Sequence, residues 1–113
     1  FIMANRRMPN GDVEGFGIVF LEAGACKKPV IAGESGGTAD AVLEGVTGLR
    51  VDGTSAPAIA SAVVRLALAP DLRRRMGEAA RSRVESEYSW QSITEKTIDL
   101  SQKVIRERER RST

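Results

Sequence analysis

Three short apolar runs, each separated from the next by a turn and a segment of helical length, constrain the fold of this chain most strongly. The runs are residues 1–4, 29–32 and 49–51. Apolar runs this short, bounded by glycine and proline, are typical of buried strands. The segments 17–26 and 38–43 between them are predicted to be helices. Strands and helices in alternation predict an α/β fold with about three parallel strands and flanking helices.

The remainder of the chain is predicted to be helical. One helix should follow the N-cap residue Ser55, and a second should cover residues 70–87, where apolar side chains recur at helical spacing. Ser89 is the predicted N-cap of a last helix. We expect Trp90, at the start of that helix, to anchor it on the domain.

Three strands are too few for a complete sheet of this type, which usually has five or six. The first strand would lack a neighbour on one side, and a bare strand edge is prone to aggregation. We therefore expect the chain to be the C-terminal part of a longer protein. Residues 1–105 would form part of a domain, and residues 106–113 would be a charged tail that is frayed or disordered.

Composition excludes several kinds of site. One cysteine and no histidine rule out a disulfide framework, a Cys/His zinc site and a histidine-based catalytic triad within this chain. The net charge of +2 is too small to indicate nucleic acid as a partner. No apolar run approaches the length of about 18 residues that a membrane-spanning helix needs. Any chemistry here must therefore use carboxylates, hydroxyls, backbone amides or cations.

The most informative stretch is residues 12–22, which read D-V-E-G-F-G-I-V-F-L-E. Gly15 and Gly17 disfavour a continuous helix, so Glu14 is predicted to lie in a loop and the helix to begin near Gly17. The amides at the start of that helix would be free to bind a phosphate or a sugar oxygen. They belong to Phe16, Gly17, Ile18 and Val19.

Glu22 is surrounded in sequence by apolar residues. Burying a carboxylate without a partner is costly, so Glu22 should face solvent, pair with a nearby cation or bind a ligand. As a ligand-binding residue it would accept hydrogen bonds from hydroxyls such as those of a ribose diol. A carboxylate near a Rossmann-type glycine turn often has this role.

A second glycine loop, residues 35–37, lies between the second strand and the next helix. It could face a ligand at the carboxyl edge of the sheet. Alternatively it is only a tight turn in which Thr38 is the N-cap of the helix. The loop is not a P-loop because no Gly-Lys-Ser/Thr follows, and residues 12–17 do not match the GxGxxG dinucleotide fingerprint.

These motifs together resemble the C-terminal nucleotide-sugar domain of family-4 retaining glycosyltransferases, which have the GT-B fold. The similarity is carried in order by E-G-F-G-I-V-F-L-E, A-C-K-K-P-V-I-A-G, S-G-G and G-V-T-G-L. The family signature E-x7-E corresponds to Glu14 and Glu22. The resemblance covers nearly the whole chain and implies the C-terminal half of a Rossmann-like GT-B domain.

The resemblance implies a role for each motif. Glu14 would be the catalytic-site residue that touches hydroxyls of the donor sugar, and Glu22 would hold the ribose diol. Backbone amides would line the donor sugar and its diphosphate, and the second glycine loop would border the same cleft. The other implied donor-binding residues are Gly15, Phe16, Gly17, Ile18, Ser35, Gly36 and Gly37.

The implied reaction is transfer of a hexosyl group, with retention of configuration, from a GDP- or UDP-linked sugar to a glycan or lipid acceptor. The nucleotide sugar is a substrate, and no metal or other cofactor is expected. Residues 10–13 and 32–33 look like those of phosphatidylinositol mannosyltransferases, which implies a mannosyl donor. The implied location is the cytoplasm, with the inner face of the cytoplasmic membrane as the alternative.

Compared with the family, the chain is expected to lack two parts of the enzyme. It has no acceptor-binding N-terminal domain, and the Arg and Lys that normally contact the diphosphate lie in a part of the domain that precedes it. We therefore expect the chain alone to be inactive and to bind a donor weakly at best. The alternatives are a non-catalytic sugar-nucleotide-binding or interaction module, and a sugar-nucleotide epimerase on the same fold.

The predicted helix over 70–87 carries a group of basic residues. We interpret it as a solvated face, with peripheral contact to an anionic membrane as the alternative. The group consists of Arg73, Arg74, Arg75, Arg81 and Arg83.

Overall fold

The computed structural model of the protein describes residues 1–111. In this part of the chain, three strands form one parallel sheet in the order β1-β2-β3. The strands are β1 (Ile2–Met3), β2 (Val30–Gly33) and β3 (Gly48–Val51). The predicted α/β class and the three parallel strands are confirmed.

Five helices of the described residues flank and follow the sheet. They are α1 (Ile18–Ala25), α2 (Thr38–Ala41), α3 (Ala56–Ala67), α4 (Pro70–Glu87) and α5 (Trp90–Arg111). Each strand ends in a loop that leads towards a helix, and parallel strands place these loops at one edge of the sheet. This carboxyl edge is where ligands of open α/β sheets bind.

The core lies on both faces of the central strand β2, which is buried along its whole length. Successive side chains of a strand point to opposite faces, so Val30 and Ala32 pack with Phe20 of α1 on one side. Ile31 packs on the other side with residues of α3 and α4, including Met76. Helices on both faces explain why the strand is apolar without alternation.

Ser55 is the N-cap of α3, as predicted, and its hydroxyl accepts a hydrogen bond of 3.2 Å from the Ala58 amide. Replacing a serine N-cap by alanine costs about 1 kcal/mol. We expect Ser55→Ala to lower the free energy of unfolding by about this amount in urea denaturation. Ser61→Ala, on the exposed face of α3, is the matched control and should change it by less than about 0.5 kcal/mol. Equal effects of the two substitutions would contradict the capping role.

Three of the five arginines of α4 are more than a solvated face, because their guanidinium groups bond to the backbone at the ends of other helices, although the Arg81 side chain stays 43% exposed. Arg73 donates to carbonyls at the end of α3, Arg81 to that of Ala25 at the end of α1, and Arg83 to those at the end of α2. The last carbonyls of a helix have no partner within it, and a cation satisfies both their hydrogen bonds and the helix dipole. Helix α4 therefore caps three other helices through its side chains.

Helix α5 has no buried residue. Trp90 is 88% exposed, so the prediction that it anchors the helix is wrong. Residues 106–111 of the predicted charged tail form the last part of this helix, which agrees with a helix end and not with disorder there; residues 112–113 lie outside the described residues. Arg and Glu are good helix formers, and Glu107 precedes Arg111 at the favourable i, i+4 spacing. None of the helices described has both the length and the apolar content that crossing a bilayer requires.

Candidate functional site

A cavity of about 370 Å³ opens where β1 ends and α1 begins. We call it the Glu14 cavity; it is lined by Met3, Glu14, Phe16, Gly17, Ile18 and Val19. Its volume falls within the range of about 300–1,000 Å³ that is usual for small-molecule sites. Four of the predicted site residues therefore lie together, namely Glu14, Phe16, Gly17 and Ile18.

The N-terminus of α1 forms one wall of this cavity. Gly17 is its N-cap, with φ of 90°, a left-handed conformation that suits glycine. A Cβ atom there would also lie 2.4 Å from the ring of Phe20, which is buried. No side chain caps this end, so the first amides of the helix remain available to a ligand. The helix begins where the sequence predicted.

The second glycine loop, residues 35–37, packs directly against the backbone of Glu14 and Gly15 in the first. The Gly37 amide donates a 2.9 Å hydrogen bond to the Glu14 carbonyl. A Cβ atom on Gly36 would lie 1.9 Å from the Glu14 carbonyl oxygen, and one on Gly37 would lie 2.0 Å from that of Gly15. Only glycine allows the two backbone segments to come this close. The second glycine loop therefore fixes the position of the Glu14–Gly15 backbone. Gly15 itself is exposed and does not line the cavity.

The tight-turn interpretation of residues 35–38 is correct in part. The Thr38 hydroxyl donates to the Gly33 carbonyl at 2.9 Å and accepts from the Ser35 amide at 3.3 Å. It therefore closes the turn, but Gly37 rather than Thr38 is the N-cap of α2. Ser35 and Gly36 do not line the Glu14 cavity; they line a neighbouring one.

The ring of Phe16 packs against Tyr88 at the end of α4, a contact that the sequence did not predict. Its ring lies 5.7 Å from that of Tyr88, and the guanidinium of Arg83 lies 5.1 Å from the centre of the Tyr88 ring. Arg83 follows the buried Ala80 by three residues, so helical spacing was the available signal for its packed position.

Glu22 lies outside the cavity, on the exposed surface of α1. Its side chain makes no hydrogen bond or ion pair with another described residue. It follows Ile18 by four residues, so the two share one face of the helix, about 6 Å apart along the axis. A ligand that extends from the cavity along this face would meet the Glu22 carboxylate.

The carboxyl end of β3 carries a further acidic residue, Asp52, in an exposed turn. The hydroxyl and the amide of Thr54 donate to its carboxylate, at 2.6 and 2.8 Å. These bonds favour the ionised form and hold the pKa of Asp52 below its ordinary value. The side chain thus serves the turn that leads into α3. Within residues 1–111, no group of three or more His, Cys, Asp or Glu residues is arranged to hold a metal ion.

Comparison with known proteins identifies the chain's relatives. The glycosyl transferases group 1 family matches residues 1–83. The GDP-mannose-dependent alpha-(1-6)-phosphatidylinositol monomannoside mannosyltransferase of Mycobacterium tuberculosis is 47% identical over 89 residues, which are 79% of this chain and 23% of that protein. The GDP-mannose-dependent monoacylated alpha-(1-6)-phosphatidylinositol monomannoside mannosyltransferase of Corynebacterium glutamicum is 43% identical over 103 residues, 90% of this chain and 27% of that protein.

Among solved structures, sucrose-phosphate synthase from Thermosynechococcus elongatus superposes with a TM-score of 0.74 at 36% identity. The match covers 81% of this chain and 23% of that structure. The chain thus spans about a quarter of the length of the relatives that it matches. The resemblance to family-4 GT-B glycosyltransferases is confirmed.

Proposed function

Because the chain belongs to the glycosyl transferases group 1 family, we propose that it is the donor-binding part of a retaining hexosyltransferase. The donor is a nucleotide-diphospho-sugar, GDP- or UDP-linked, and the transferred group is a mannosyl unit. The observation that carries this proposal is the Glu14 cavity, which combines a carboxylate and an uncapped helix N-terminus at the carboxyl edge of the sheet. Support for mannose comes from the relatives, two of which are named as GDP-mannose-dependent mannosyltransferases.

In this proposal each part of the cavity meets one part of the donor. The Glu14 carboxylate accepts hydrogen bonds from hydroxyls of the sugar. The amides of Gly17 and Ile18 donate to the diphosphate, whose negative charge suits the positive end of the α1 dipole. Glu22, about one helical turn further along the same face, accepts hydrogen bonds from the ribose diol.

The proposed role of the backbone amides follows from the negative charge that develops on the leaving phosphate. When the bond between the sugar and the diphosphate breaks, the leaving phosphate gains negative charge. Amide donors already directed at that position stabilise it more in the transition state than in the ground state. We propose that the acceptor hydroxyl then attacks the anomeric carbon on the face from which the phosphate leaves and gives its proton to that phosphate, so that the configuration is retained. This scheme uses no metal and no cofactor besides the donor itself.

The remaining parts of the proposal concern what surrounds the site. A glycan or lipid acceptor binds to a separate N-terminal domain of the GT-B fold, and the reaction takes place in the cytoplasm or at the inner face of the cytoplasmic membrane. Both relatives named above act, by their names, on phosphatidylinositol mannosides, which favours a lipid acceptor.

Donor binding is tested by titrating the full-length protein with GDP-mannose and UDP-glucose in a calorimeter. We expect Glu22→Ala to weaken binding by about tenfold to a hundredfold, because hydrogen bonds to a charged group contribute about 1.5–3 kcal/mol. Glu78→Ala is the matched control, since Glu78 is equally exposed but lies on α4, away from the cavity. Equal losses, or no loss, would count against the site.

The catalytic competence of the chain is a separate prediction. We expect no turnover of GDP-mannose by the 113 residues alone, because neither an acceptor domain nor the family's diphosphate-binding cations are part of them. The measurement is release of GDP in the presence of a phosphatidylinositol mannoside acceptor. Turnover above that of a heat-denatured control would contradict this expectation without affecting donor binding.

A further inference from the structure

The ring of Phe16 lies between the Glu14 cavity and the end of α4. It lines the cavity on one side and packs against the core cluster around Phe20 on another. Beyond these contacts it meets the ring of Tyr88, with 5.7 Å between the ring centres and an angle of 48° between the ring planes. Tyr88 itself does not line the cavity. It therefore acts on the cavity only through Phe16.

Hydrogen bonds do not fix the backbone around Phe16. The Glu14 carbonyl accepts from the Gly37 amide, but no backbone group of Gly15 or Phe16 is hydrogen bonded to another described residue. Phe16 has a glycine on either side, which adds conformational freedom. A Cβ atom at Gly15 would have nothing within 4 Å, so no close contact restrains that residue. The position of this segment therefore depends on packing, to which the Phe16 ring contributes the largest group.

The Tyr88 ring is itself held at several points. Its hydroxyl donates to the Asp40 carbonyl, near the end of α2, at 3.3 Å and accepts from the Arg83 guanidinium at 2.9 Å. The same guanidinium lies 5.1 Å from the centre of the ring. Helix α2 begins at Gly37, whose amide bonds to the Glu14 carbonyl. Both ends of α2 therefore help to position residues 14–16, one directly and the other through Tyr88.

We propose that Tyr88 is a positioning residue for the transfer reaction, an inference that rests on the proposed function. The Tyr88 ring fixes Phe16, and the peptide unit between Phe16 and Gly17 carries an amide that donates to the diphosphate in that proposal. Donors of this kind stabilise the charge of the transition state only when they are placed in advance. The contacts of Glu14 and Glu22 with the donor do not involve Tyr88. Tyr88 therefore affects the rate of transfer more than the binding of the donor.

The test is steady-state kinetics of the full-length protein with GDP-mannose and a phosphatidylinositol mannoside acceptor. We expect Tyr88→Leu to lower kcat by about tenfold to a hundredfold, because a misplacement of about 1 Å has effects of this size. The KM for GDP-mannose should change by less than about threefold. Tyr88→Phe should keep kcat within about tenfold of the wild-type value and above that of the leucine variant, since only the hydrogen bonds of the hydroxyl are lost. If Tyr88→Leu does not fold, Tyr88→Met replaces it, because methionine fills irregular space without an aromatic ring.

Two further variants separate positioning from a general loss of structure. Leu66→Val shortens a side chain of the core cluster on the other face of the sheet, away from Phe16, and should leave kcat unchanged. Combining Tyr88→Leu with Phe16→Leu should lower kcat no further than Phe16→Leu alone, because Tyr88 acts through the Phe16 ring. Two independent roles would instead give effects on kcat that multiply.

Four results would overturn the role of Tyr88. They are a kcat of Tyr88→Leu close to the wild-type value, a phenylalanine variant as impaired as the leucine one, an equal loss in Leu66→Val, and multiplying losses in the double variant. Calorimetric titration of the wild-type protein with GDP-mannose distinguishes this inference from the proposed function. Binding and turnover with a kcat insensitive to Tyr88 would disprove only the positioning role. Absence of donor binding would disprove the proposed function and this inference with it.

Discussion

Gly37→Ala is expected to lower the free energy of unfolding by about 3 kcal/mol, the upper part of the range for overpacked positions. The new Cβ atom would lie 2.0 Å from the Gly15 carbonyl oxygen and 3.2 Å from the Phe16 Cα atom. Both neighbours are backbone atoms, so no side-chain rotation can relieve the overlap. The loop must move away, which also breaks the hydrogen bond from the Gly37 amide to the Glu14 carbonyl.

The same substitution should displace the Glu14 cavity as well as destabilise the chain. Urea denaturation followed by circular dichroism measures the loss of stability, and the amide shifts of Gly15 and Gly17 report the displacement of the cavity. Gly15→Ala is the matched control, because a Cβ atom at Gly15 has nothing within 4 Å. If the two alanine variants unfold at the same urea concentration, the glycine loop is not the support that we infer.

Arg83→Leu is the second substitution with a large expected effect, a loss of about 3 kcal/mol in the free energy of unfolding. The guanidinium donates to the carbonyls of Asp40 and Ala41, at 2.7 and 2.9 Å, and to the Tyr88 hydroxyl at 2.9 Å. Its side chain is only 13% exposed, so little water is available to replace these bonds. Leucine would leave the end of α2 uncapped and would remove the cation beside the ring that contacts Phe16.

Helix α4 itself offers the control for this prediction. Arg75 lies on the same helix, is exposed, and makes no hydrogen bond or ion pair with another described residue. Arg75→Leu should therefore change the free energy of unfolding by less than about 0.5 kcal/mol. Arg83→Lys should recover part of the loss, since it keeps the charge but not the forked geometry. A loss at Arg75 as large as that at Arg83 would show that the capping geometry is irrelevant.

The local elements were predictable because each carries its own signal. Short apolar runs bounded by glycine and proline indicated the three strands, and Ser55 and Ser89 marked helix starts that the structure confirms. The sequence was less informative about packing, because the sequence of a helix that packs on the domain can resemble that of a helix that does not. Trp90 was expected to anchor α5 but is exposed, because no described element covers that side of the helix.

Half of the candidate site could likewise be predicted. The placement of Glu14, Phe16, Gly17 and Ile18 around one cavity follows from local rules, since glycine in a loop before an apolar helix is a short-range pattern. The separation of Ser35 and Gly36 into a second cavity with Arg50 could not be predicted in the same way. It depends on the pairing of β2 with β3, which joins residues distant in sequence.

The sequence alone determined the class of fold, the family and the point at which α1 begins, because these depend on order, spacing and local conformational preference. The tertiary structure decided which charged side chains are structural. Composition made the arginines of α4 look like a solvated surface, yet three of them cap helices that lie far away in the chain. A guanidinium shows no preference for such a role in its own segment. The role arises only when packing brings an unpaired helix end within reach of its donors.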